Sequence, residues 1–73
     1  MESKKERFVR IAEARTNKII GMIRLLGNCS NKGNYEYSED DVKAIFSAIE
    51  SELKNAKSKF AESVNTDKVF KLR

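Results

Sequence analysis

Few residues in this sequence have the type and spacing to do chemistry, and the first to consider is Cys29, the single cysteine. A thiol becomes a nucleophile or redox centre as its thiolate, which needs an adjacent base or a strong positive field. The chain has no histidine, and Lys32 is the nearest cation in the segment, so Cys29 reads as an ordinary turn residue. One cysteine cannot close an internal disulfide, and with no histidine there is no Cys/His set for zinc. No cofactor and no metal are expected. Residues 27–33, GNCSNKG, lack the preceding strand and the Gly-Lys-Ser/Thr ending of a phosphate loop. The carboxylates fall in no setting that suggests a buried acid–base pair. The expectation is a protein that is not an enzyme.

What remains is chemistry of recognition, in three places. Tyr35, Glu36, Tyr37 and Asp40 form a tyrosine-bearing acidic patch beside a Gly/Asn loop. Tyrosine is an enriched interface anchor, so this patch is the first candidate for binding a partner. The plainer reading is that the acids serve the start of a helix. Arg15 is the second place, because it falls in the middle of an apolar helical face where an unpaired guanidinium is costly. Either Glu50 or Glu52 on a facing helix pairs with it, or Arg15, with Asn17 and Lys18, reaches an acidic partner. The third is basic: Lys4, Lys5, Arg7 and Arg10 at one end of the chain, and Lys54, Lys57 and Lys59, joined by Lys68, Lys71 and Arg73, at the other. Brought together, they would make a phosphate-binding or acidic-protein footprint. A solvated lysine-rich surface is the plainer account, since no aromatic is interleaved to stack bases and no helix-turn-helix, finger or RNA-recognition signature is present.

The elements that must position these residues are helical. The chain has 73 residues, no proline and three glycines, a composition that favours long helices over sheets. At about 100° per residue, Phe8, Ile11, Ala12, Ile19, Met22, Ile23 and Leu26 share one face of a first helix spanning about 4–26. Val9 and Ile20 widen that arc to about half the circumference, more than the ~100° stripe that covers one neighbour. Val9, Ile20 and Ile23 are therefore assigned to self-association. Gly27 is expected in the left-handed conformation that closes a helix, opening a loop over 27–38. Ser38 reads as an N-cap with Asp41 at N3, Glu39 and Asp40 favour the dipole of the first turn, and Tyr37 is placed to staple onto Val42. Val42, Ile45, Phe46, Ile49, Leu53, Ala56 and Phe60 then define a second helix over about 39–62. Asn65-Thr66-Asp67 reads as a break that leaves a tail over 63–73.

These features make one all-α domain over 1–73: an antiparallel two-helix hairpin with a short C-terminal tail. Leu26 would lie opposite Val42, Ile19 opposite Ile49, Ala12 opposite Ala56 and Phe8 opposite Phe60. A hairpin leaves one side of each stripe facing water, and a chain this short gains only roughly 3–5 kcal/mol from one core, so dimerisation into a four-helix arrangement is expected. The alternatives are that the tail caps the hairpin or that the exposed side is kept for a different protein. The formal net charge is +4, with an acidic middle between basic flanks. No secretory signal and no apolar run near the ~20 residues of a membrane span occur, so the expectation is a cytoplasmic protein with no membrane partner.

The run from Arg7 to Phe60 resembles a set of small helical proteins, mostly uncharacterised, from phages and other mobile elements of Gram-positive and related bacteria. The resemblance rests on Ala12-Glu13, Arg15, Asn17, Ile23-Arg24-Leu25-Leu26-Gly27-Asn28, Ser30-Asn31, Tyr35-Glu36-Tyr37, Asp41-Val42, Ile45-Phe46 and Ile49-Glu50. Cys29 stands where the set would carry an apolar residue, commonly leucine. What the resemblance implies is a mobile-element context, in which small proteins are often regulators or inhibitors of host systems. With the wide apolar arc, the tyrosine-bearing acidic loop and the absence of catalytic groups, the expectation is a module that binds a host protein or ribonucleoprotein machine. A regulator that binds DNA or RNA through the basic end is the alternative.

Overall fold

The computed structural model describes the backbone of residues 1–69 and the side chains of residues 1–62. Its described residues are all helical or loop, with no strand: α1 spans Lys4–Gly27, a 3-10 turn spans Asn28–Ser30, and α2 spans Glu39–Val69. The chain falls into two units, Met1–Glu36 and Tyr37–Arg73.

In the first unit, α1 starts where the sequence supplies both halves of a capping box. The Ser3 hydroxyl accepts the Glu6 backbone N–H at 3.1 Å, and the Glu6 carboxylate accepts the Ser3 N–H at 2.9 Å. Two of the N–H groups that a helix start leaves unpaired are thereby satisfied. The backbone hydrogen bond from Ser3 and the Ser3 hydroxyl together hold the Glu6 carboxyl below the usual carboxylate range. A second tie follows one turn on, where the Arg10 guanidinium donates to both Glu2 carboxylate oxygens, at 2.8 and 3.0 Å. This hydrogen-bonded pairing lowers the Glu2 carboxyl and raises the already high Arg10.

The far end of α1 departs from expectation. Gly27 is right-handed, with φ −59° and ψ −30°, and no described glycine has positive φ. The reason is local: the Asn28 N–H is shared among the carbonyls of Arg24, Leu25 and Leu26, so the helix tightens into a 3-10 turn instead of closing on a left-handed cap. The loop then turns on Asn31. Its side-chain oxygen accepts Gly33 N–H at 2.9 Å, and its carbonyl accepts Asn34 N–H at 3.1 Å and Tyr35 N–H at 3.0 Å.

The second unit opens as the sequence implies. The Ser38 hydroxyl accepts Asp41 N–H at 3.1 Å and the Asp41 carboxylate accepts Ser38 N–H at 2.9 Å, while Glu39, Asp40 and Asp41 stand in the acid-favouring first turn. Tyr37 and Val42, the two staple positions, are both partly shielded. The helix does not stop at residue 62. Its backbone is helical through Asn65-Thr66-Asp67 to Val69, because these three residues cost only ~0.7 kcal/mol or less apiece relative to alanine and none is glycine or proline. The expected tail is thus mostly backbone helix. Its last residues, with Lys71 and Arg73, lie outside the described residues, as does the side chain of Lys68.

Candidate functional site

The helices carry their apolar residues on the outside. Among the described residues no side chain is buried, and in the first unit Ile11, Ala12, Gly21 and Leu26 are only partly shielded. A lone helix can shade one side chain with the next turn but cannot fold its face over itself. The exposed set is therefore apolar surface that its own helix does not cover. Val9 is 45%, Ile20 41% and Ile23 43% exposed, and on α2 Phe60 is 62% exposed.

On α1 these side chains flank shallow grooves. Val9 stands between two of them, one lined by Phe8, Ala12, Glu13, Thr16 and Asn17, the other by Lys5, Glu6, Arg10, Glu13, Ala14 and Asn17. Arg15 is exposed on the same face, and the positions three and four residues away, Ile11, Ala12, Lys18 and Ile19, hold no carboxylate. Its own helix therefore supplies no counter-charge.

The basic residues of α1 do not form a stripe. At about 100° per residue, Lys4, Lys5, Arg7 and Arg10 ring the first two turns, and Arg10 is engaged by Glu2. Lys4 and Lys5 also stand in the first turn, where the helix dipole disfavours cations. On α2, Lys54 and Lys57 line one groove with Glu50, Leu53, Ser58 and Ala61, and Lys59 is not on it.

The tyrosine patch divides between the two units. Tyr35, 52% exposed, and Glu36 follow the Asn31 turn. Tyr37 and Asp40 belong to the start of α2, where Asp41 is committed to the cap and Asp40 remains on the surface. Cys29 is exposed, its Sγ directed to the Leu25 carbonyl at 4.0 Å. Among the described residues no cluster of three or more His, Cys, Asp or Glu side chains is placed to hold a metal, and no described helix is long and apolar enough to cross a membrane.

No family model, curated protein or solved structure matches this chain. Function has to be argued from these surfaces. Sequence reasoning missed two residues that organise them: Ser3, which starts α1, and Asn31, which shapes the loop before Tyr35. Both had a signal, Ser-x-x-Glu at 3–6 for the capping box and Asn-x-Gly at 31–33 for a side-chain-closed turn.

Proposed function

We propose that this chain is a non-enzymatic interaction module: an antiparallel helical hairpin that pairs with a second copy and binds a protein or ribonucleoprotein machine as a small regulator or inhibitor. The observation that carries this reading is the exposure, among the described residues, of the apolar faces of two helices that are capped at their starts. Such faces are stable in water only when something covers them.

Sequence register supports the hairpin. Phe8, Ala12, Arg15, Ile19, Met22 and Leu26 step along α1 at intervals of four, three, four, three and four residues. Phe60, Ala56, Leu53, Ile49, Phe46 and Val42 step back along α2 at the same intervals. Laid antiparallel, the six levels coincide, which is the spacing of a coiled-coil seam. Arg15 then sits level with Leu53, with Glu50 and Glu52 beside it to neutralise its charge, and Lys18 flanks Glu52. The face left for a different partner is the Tyr35/Glu36 loop with Tyr37 and Asp40, an acidic, aromatic surface suited to a basic groove.

The alternative, binding of DNA or RNA through Lys4, Lys5, Arg7, Lys54, Lys57 and Lys59, is favoured by the cations in the first turn of α1, which oppose the dipole and bring no benefit to the helix. Size-exclusion with light scattering, run on the chain alone and with added nucleic acid at low salt, separates the two. A concentration-dependent dimer that ignores nucleic acid supports the protein-interaction reading. A monomer whose helicity is undiminished on dilution overturns it, and a complex that dissolves steeply with salt favours the alternative.

A further inference from the structure

The exposed arc of α1 contains a second line of residues, turned about 80° from the one that matches α2 when residues are set at ~100° intervals. This line is Val9, Ala12, Thr16, Ile20 and Ile23. Its intervals are three, four, four and three, so it reads the same from either end with Thr16 at the middle. A self-complementary patch needs this property, because across a two-fold axis residue i of one copy meets residue j of the other and j meets i. From this symmetry and from the charges that flank it, we infer that a second copy of the chain packs on this face with the two α1 helices antiparallel and the two-fold axis beside Thr16.

In that arrangement Val9 meets Ile23 of the second copy, Ala12 meets Ile20, and Thr16 meets Thr16. The shallow grooves on both sides of Val9 receive the larger Ile23 side chain. Charge selects the same direction. On the flank beside Ile20, where Glu6 and Arg24 share one angular position, Glu6 of one copy lies about two residues, ~3 Å of helix, from level with Arg24 of the other, within reach of two long side chains, and the pairing occurs twice by symmetry. Glu13 comes level with Ile19 and within about two residues of Asn17, so it meets no like charge. A parallel pair would instead set Lys5, which lies within about 20° of the line, against its own copy. The antiparallel pair separates the two Lys5 residues by about 22 residues, ~33 Å of helix, well beyond the ~8 Å screening length at physiological salt. The ~80° between the two lines is also near the angle at which one helix of a square four-helix arrangement sees its two neighbours. The inference rests on the self-association in the proposed function and adds which helices meet, in which direction and at which residue.

The test uses full-length chain in a Cys29→Ser background, oxidised gently at concentrations where the dimer is populated. Thr16→Cys is expected to form a symmetric disulfide dimer. Val9→Cys mixed with Ile23→Cys is expected to form the mixed disulfide in preference to a Val9→Cys homodimer. Glu6→Gln keeps an acceptor for the Ser3 N–H but removes the charge, and is expected to weaken dimerisation about threefold to tenfold, more than Ser3→Ala, which disturbs the same cap and leaves the charge in place. A predominant Val9→Cys homodimer, or a dimer that none of these positions cross-links, overturns this geometry while leaving self-association standing. A chain that is monomeric at every concentration overturns both.

Discussion

The two helices solve the same problem at their starts and different problems along their lengths. Each opens with a serine whose hydroxyl and backbone N–H exchange hydrogen bonds with an acid three residues on, Ser3 with Glu6 and Ser38 with Asp41. Beyond that, α2 carries one apolar stripe about as wide as a single neighbour requires, from Val42 to Phe60, with no charge inside it. α1 carries an arc almost twice as wide, and Arg15 stands within it. Width indicates how many neighbours a helix is built to meet, and an embedded charge indicates that one of those contacts is specified as well as greasy. In the proposed assembly α2 is the partner of one helix and α1 the hub of two.

The most direct way to break that contrast is to shorten one apolar residue on each helix. Leu53→Ala lies on the only stripe of α2 and is expected to cost about 2–4 kcal/mol in the thermal unfolding of the assembled protein. Ile20→Ala lies on the second line of α1, and is expected to raise the dimer dissociation constant while leaving unfolding at high protein concentration far less affected. Equal effects on both readouts would show that the two helices have equivalent roles.

Arg15→Ala sharpens the contrast. If the guanidinium sets the register against Glu50 and Glu52, its loss is expected to lower stability by about 1–3 kcal/mol. Unchanged helicity and stability, with weaker binding to a partner, would move Arg15 from the seam to the docking surface.

The smallest effect concerns the shared device. Ser3→Ala is expected to cost about 1 kcal/mol of helix stability. The depressed Glu6 carboxyl also gives the α1 cap a pH dependence. A carboxylate whose folded-state pKa lies below its unfolded value stabilises the helix above the ordinary carboxylate range, and that contribution fades as pH falls through the folded value. Far-ultraviolet circular dichroism should therefore show α1 losing helicity on acidification, and Glu6→Gln, which has no charge to lose, should blunt the transition. An acid transition of the same size in Glu6→Gln would rule out the cap as its source.

Helical periodicity made both helices and the α2 cap legible in the sequence, because an apolar stripe at intervals of three and four and a Ser-x-x-Asp start are local signals. The start of α1 was equally local, yet in MESKKER the capping box is embedded in a run of charges that draws attention to electrostatics instead. Gly27 misled for a related reason. Glycine permits a left-handed turn without requiring one, and the shared hydrogen bonds of Asn28 decide the matter. The Asn65-Thr66-Asp67 segment shows how weakly individual propensities bear on a helix already under way. The recognition surface was legible only as composition, since what Tyr35 and Arg15 touch depends on contacts that span many residues or a second molecule.

Gly21 and Gly27 both lie within α1, and a methyl group added at either would meet nothing within 4 Å. Alanine would fit at both, so glycine here gives away about 1 kcal/mol of intrinsic helicity per site. If the proposed pairing holds, these glycines leave α1 more dependent on a companion for its order than alanine would. An orphan copy would then spend more of its time unravelled, within reach of any protease that cuts loose backbone, so the chain's lifetime would become a measure of whether it has found its mate.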